Sequence, residues 1–402
     1  GQVCGIPRGT LVHLYNTVLQ NIVKFKDTDQ QLYRKYMSYL VRLIFNTRHI
    51  DNGKGERDLF YWLLLELYKT QPVLVLKSFP LITGAYELDG TLTEYRPFGS
   101  YLDLNKLYEL VYDDKTCVPL RNAIIQYYTT SLRKDSESEN PTFSGKWAGR
   151  ENHALDKKTQ MAEVLAVSLF GAETKNKEGK VILPAVKRKY RKLLSELNEK
   201  KKIIETLLAS GQIDEIQVKN ISGKAFMKYI NALKYQDKKG ELRGDDKARL
   251  ALRGRVLAEE KKAMENPDKA RINVKTLMPH EIVSKVLTGQ FDSVHNAMWK
   301  KFVYEFEKKM GAEFTPGVPI CDVSGSMGGI PMEAAIALTM LISGHLKGPL
   351  RGKFISFSEI PAWQTFDPSA PLNLQIRDIS RAQWGMTTNF IAVLQLMLLA
   401  GK

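Results

Sequence analysis

From Leu11 to Phe306 the apolar residues of this chain recur in blocks at helical spacing, and at Gly317 that period ends. Leu11, Leu14, Tyr15, Val18, Ile22 and Val23 form one block, and Leu32, Tyr36, Tyr39, Leu40 and Leu43 the next. Residues 59–68, 102–111 and 122–132 continue the pattern, broken at Pro72, Pro80 and Pro97, with Pro119 near a first turn. Further helices are predicted over 185–199, 250–263, 281–287 and 294–310, and 134–145, 174–180 and 234–246 read as polar loops or linkers. Short helices with short connections predict a stacked α-helical array, irregular because no internal repeat recurs. Beyond Gly317 an apolar strand (318–321), a Gly/Ser loop (322–329), an apolar helix (331–345), a strand (353–357) and a second apolar helix (388–399) follow in turn. That rhythm predicts a doubly wound α/β domain, whose ligands sit at the carboxyl ends of its strands.

A chain of 402 residues is too long for one ordinary core. We expect an α+β multidomain protein: a helical array over 1–132, a basic helical continuation over 133–313, and an α/β domain over 314–402. The chain begins at Gly1 and stops inside a helix-like run, so a fragment is expected. No apolar run reaches the roughly 18 residues that span a bilayer, which predicts no membrane partner. Three widely spaced cysteines, Cys4, Cys117 and Cys321, make neither a disulfide framework nor a zinc knuckle. An intracellular, cytoplasmic setting is therefore expected.

The net charge of +15 is concentrated. Residues 131–280 hold 33 basic against 21 acidic side chains, while both ends are near neutral. Such a middle predicts a surface for RNA or another polyanion, set against the plainer reading of solvated lysine-rich helices. Lys187, Arg188, Lys189, Arg191 and Lys192 come close together and are the first candidates for salt-sensitive phosphate contacts. Lys146 and Arg150 flank Trp147, a mixture that suits nucleic acid, although Trp147 also reads as a core residue.

In the 322–329 loop, Asp322, Ser324 and Ser326 alternate, so one carboxylate and two hydroxyls can converge on one point where the chain leaves a strand. Hard oxygen donors of this kind suit Mg²⁺ or Mn²⁺. Gly325, Gly328 and Gly329 supply backbone freedom, and the helix near Pro331 points its N-terminus at the region. The bare D-x-S-x-S pattern arises by chance in roughly one chain in ten of this length, so the strand–loop–helix context carries the expectation. A second hydroxyl motif, Gly385-Met386-Thr387-Thr388-Asn389, also leads into a helix. Other chemistries fit less well. The 53–57 segment, Gly53-Lys54-Gly55-Glu56-Arg57, lacks the phosphate-loop pattern and reads as a helix–helix turn. Gly325-Ser326-Met327-Gly328 breaks the spacing of a nucleophile elbow, and the six histidines form no metal pair. Nothing in the sequence calls for an enzyme.

Asp322-Val323-Ser324-Gly325-Ser326-Met327 resembles the metal-ion-dependent adhesion site of von Willebrand A domains. The resemblance implies two serines on the metal, an aspartate acting mostly through water, and a later threonine, which Thr388 matches best and Thr387 alternatively. The family's late aspartate has no counterpart before Lys402. The segments 46–57, 146–151, 277–281 and 329–333 are, in order, similar to the signature of the domain-of-unknown-function family numbered 2828. That resemblance implies a helical, TROVE-like front end of HEAT-like repeats before a truncated von Willebrand A domain, a layout similar to the Ro RNA-binding proteins. The expected function is thus a non-catalytic binding or scaffold protein, holding RNA on its basic helices and a protein partner's carboxylate at its metal. The alternative is a structural component of a virion or other large assembly.

Overall fold

The computed structural model describes residues 8–49, 53–84, 97–310, 317–322, 327–381 and 389–400. The chain is mostly helical, with one small sheet near its C-terminal end, and divides into two compact units, 1–210 and 211–402.

The first unit is built of α1 (Arg8–Val23), α2 (Gln30–Arg48), α3 (Asp58–Thr70), α4 (Pro72–Lys77), α5 (Phe79–Thr83), α6 (Tyr101–Leu110), α7 (Val118–Glu137), α8 (Ser144–Trp147), α9 (Ala154–Thr159), α10 (Met161–Phe170), α11 (Leu183–Lys200) and α12 (Ile204–Ser210). Helices α2 and α6 start where a side chain satisfies their free N–H groups. Asp29 accepts from the Leu32 amide, and Ser100 and Asp103 form a capping box on α6. One continuous apolar core runs from Tyr15 of α1 to Leu197 of α11.

Between α2 and α3 the 53–57 segment folds back on the end of α2. The amides of Lys54, Gly55 and Glu56 donate to the carbonyls of Asn46, His49 and Thr47 at 2.9, 3.1 and 2.8 Å. The chain passes so close that a Cβ on Gly53 would lie 1.9 Å from the Asn46 oxygen. This segment is a helix–helix turn. At the same end of α2, Arg48 is 2% exposed and grips Asp103 of α6 by two hydrogen bonds of 2.9 Å, while the Tyr61 hydroxyl of α3 donates to the same carboxylate at 2.6 Å. Burial alone would raise the Asp103 pKa, but Arg48 and Tyr61 outweigh it and hold the carboxyl below its ordinary range.

The second unit comprises α13 (Gly223–Leu233), α14 (Lys247–Glu265), α15 (Pro279–Leu287), α16 (Ser293–Met310), β1 (Ile320–Cys321), α17 (Ile330–His345), β2 (Lys353–Ser356), β3 (Trp363–Thr365), α18 (Leu372–Ser380) and α19 (Phe390–Ala400). The sheet order is β1-β2-β3, with β1 parallel and β3 antiparallel to the central β2. Ile320 pairs with Ile355 and Cys321 with Ser356. Two parallel neighbours need a crossover, which α17 supplies, burying Ile336, Ala337, Met340 and Leu341.

Two stretches expected as polar loops contain buried charges. In 134–145, Asp135 is 4% exposed and accepts from the amide and hydroxyl of Thr142 and from the Ser144 hydroxyl, so it organises the turn between α7 and α8. In 234–246, Lys234 is 3% exposed and pairs with Glu260 at 2.7 Å and Asp292 at 2.5 Å. Its partners are distant in sequence, so no local window reveals them. Beside them Nδ1 of His295 lies 2.9 Å from the amide nitrogen and 3.1 Å from the carbonyl oxygen of Asp292, while its Nε2 is buried without a partner. Burial lowers the His295 pKa, with Lys285 and Lys234 adding to the effect and Asp292 opposing it.

Asp103→Asn should destabilise the first unit by about 3–5 kcal/mol, because Arg48 would stay buried without its counter-charge. A urea midpoint within error of wild type would contradict that placement. His295 gives a pH dependence of known sign. The unfolded chain takes up its proton near pH 6.5 while the folded site resists it, so stability is complete above that pH and falls as the solution is acidified below it. His295→Asn, which keeps an acceptor near Nδ1, should flatten melting temperature against pH between about 7.5 and 5.5; an unchanged slope would assign it to other groups.

Candidate metal centre and basic surfaces

Parallel strands leave a sheet at the same end, and here that end gathers the described part of the predicted metal site. Asp322 directly follows β1 and is half-buried. The Phe357 amide donates to the Cys321 carbonyl at 2.9 Å, so residues 322 and 357 exit side by side. One residue further, the Ser358 carbonyl accepts from the Asn389 amide at 3.3 Å. Asn389 then caps α19, its side-chain oxygen accepting from the Ala392 amide at 3.0 Å. Asp322 and the residue that follows Thr388 are thereby tied to adjacent strands at the same end of the sheet. Ser324, Ser326, Thr387 and Thr388 lie outside the described residues.

The described donor chemistry suits a hard cation. Cys321 is 1% exposed, and burial pushes its thiol pKa up, so no soft thiolate competes beside Asp322. Among the described residues no three His, Cys, Asp or Glu side chains cluster as a metal cage. A site of one carboxylate and several hydroxyls does not need such a cluster. On the far side of the loop Gly329 takes a left-handed φ of +87°, and its carbonyl accepts from the Glu333 amide at 3.1 Å in the first turn of α17.

The candidate nucleic-acid residues all lie in the first unit. Helix α11 buries Val186, Tyr190, Leu194 and Leu197, which leaves its basic residues on the outer face. Most of those are matched by acids. Lys187 pairs with Glu163 at 2.7 Å and Glu151 at 3.9 Å, Lys189 with Glu173 at 3.8 Å, Lys192 with Glu196 at 3.7 Å, and Arg191 with Glu151. Exposed pairs are worth only about 0–1 kcal/mol each, but they cancel much of the local field. Arg188 and Arg150 are exposed and have no ion-pair partner among the described residues. Lys146 reaches Glu205 at 3.4 Å and lies 5.7 Å from the Trp147 ring centre, and Trp147 itself packs against the core.

Composition had assigned the charge to the middle of the chain, and the units share it almost equally. The first holds 32 basic and 24 acidic side chains, the second 27 and 20. The exposed cations of 211–280 were not singled out from sequence, because their spacing is loose and only folding gathers them.

Residues 317–401 match a family described as a domain of unknown function, DUF7788. The chain is also similar to the uncharacterized protein L728 of Acanthamoeba polyphaga mimivirus, with 25% identity over 378 residues, 89% of this chain. The match spans 60% of that relative's length. No solved structure matches. No helix among the described residues is long and apolar enough to cross a membrane.

Proposed function

We propose that this chain is a non-catalytic binding protein with two kinds of contact: a Mg²⁺ or Mn²⁺ ion at Asp322 that takes a protein partner's carboxylate, and a basic helical surface that takes RNA. The von Willebrand A reading of the C-terminal part and the TROVE-like, HEAT-like reading of the helices belong to this proposal. The observation that supports it most is the joint anchoring of Asp322 and Asn389 at the carboxyl ends of β1 and β2. In an open α/β sheet that is where ligands bind. Asp322, Ser324, Ser326 and Thr388 would hold the ion through oxygen, and the ion would supply a positive charge with coordination sites left for a partner. The assembly reading, in which the same surfaces join subunits of a particle, draws on the likeness to a viral protein; sedimentation of the purified chain as a large symmetric particle would favour it.

Thermal denaturation with and without Mn²⁺ tests the metal. At about a hundredfold excess over Kd the ion should stabilise the wild type by about 2.7 kcal/mol, and Asp322→Ala should show no response. An equal response in both proteins would place the ion elsewhere.

A further inference from the structure

The second unit contains a concave basic surface that the metal reading leaves unused. Two adjoining grooves, of about 440 and 550 Å³, share Lys262 and Arg271 in their walls. The first is bounded by α14 and by the short turns over Ile213–Glu215 and Val218–Asn220; the second continues around the C-terminal end of α14. Lys219, Arg255, Lys262, Lys269 and Arg271 stand around them, and all five are exposed.

Three features separate this surface from α11. First, Lys219, Arg255, Lys269 and Arg271 have no carboxylate partner within ion-pair distance among the described residues. Second, the lining also holds the acids Asp214, Glu265 and Glu259, against five cations; Glu265 lies 3.8 Å from Lys261, and Glu259, 7% exposed, is already committed, accepting from Lys262 at 2.7 Å and from the Arg271 amide at 2.6 Å. It fixes the 271 backbone and leaves the Arg271 guanidinium outside. Third, the floor is apolar, with Ile216 and Val218 buried beneath the cationic rim. A larger cavity in the first unit, about 1070 Å³ beside α7, has the smaller cationic excess, with Lys115, Arg121 and Arg133 in its walls beside Asp113 and Glu163.

We infer that the paired grooves along α14 are the seat of a single-stranded RNA, with rim cations on successive phosphates and the apolar floor and arginine planes against base faces. This rests on the RNA half of the proposed function and moves its centre from α11 to the second unit. An acidic peptide would use the cations alone and make no use of the apolar floor.

The test is a salt titration of the full 402-residue chain against a fluorescent oligouridylate. The variant Lys219→Gln/Lys269→Gln/Arg271→Gln should bind about tenfold more weakly at low salt, and its log–log salt slope should be shallower by about 2, three phosphate contacts at about 0.7 each. The matched variant Arg188→Gln/Arg191→Gln/Lys192→Gln on α11 should stay within about twofold of wild type on the same scale. The reverse ranking would overturn the groove assignment while leaving RNA binding intact. No binding by the wild type at low salt would remove the RNA reading and the groove with it. Polyglutamate binding as tightly as the RNA would also overturn the inference, in favour of an acidic protein partner. All three groove positions are exposed, and circular dichroism of the variant should match the wild type.

Discussion

Two residues of β1 paired in parallel with two of β2 decide where the proposed metal site of the C-terminal part would sit. Because Ile320 faces Ile355 and Cys321 faces Ser356, the chain leaves both strands in the same direction. Asp322 and Ser358 then emerge at one edge, and Asn389 is held there by the Ser358 carbonyl. An antiparallel pairing would send the two exits to opposite ends of the sheet. So short a ladder has little strength of its own; α17 supports it by burying its apolar face, and Phe354 and Ile355 are fully buried in β2.

The polar residues do different work in the two units. In the first, Arg48, Asp103 and Tyr61 tie three helices together inside the core, and the cations of α11 are largely answered by glutamates on its outside. In the second, Lys234 is consumed by a buried network, yet Lys219, Arg255, Lys269 and Arg271 around α14 stay exposed without an ion-pair partner among the described residues. Nearly equal net charge therefore does not mean equal field. A polyanion responds to cations that are not already neutralised, and concavity brings several within reach of one strand.

Much of this was legible in the sequence, and the exceptions share a cause. Helices with strong periodicity, such as those over 32–43 and 185–199, are decided locally, and α2 and α11 lie where the pattern put them. The change of period at Gly317 correctly announced strand, helix and strand, and it put Asp322 at a strand end. The short β3 carries too few residues for periodicity to register, whereas α18 does show Leu372, Ile376 and Ile379 at helical spacing. Asp135 and Lys234 look like loop charges because their neighbours in sequence are polar; Asp135 is buried in the turn it organises with Thr142 and Ser144, and Lys234 by its distant partners Glu260 and Asp292. The cations of α11 looked like a free patch because their acids, Glu151, Glu163 and Glu173, come from other segments. A charge count along a chain cannot see which charges meet.

The central claim is that segments far apart in sequence, one opening at Asp322 and one closing at Asn389, hold a single divalent ion between them. Electron paramagnetic resonance of Mn²⁺ reads it directly, since bound ions lose the free-ion signal. The account predicts uptake of one Mn²⁺ per chain, abolished by Asp322→Ala and weakened by Thr388→Ala from the other segment. Full uptake in both variants, or none in the wild type, would contradict it.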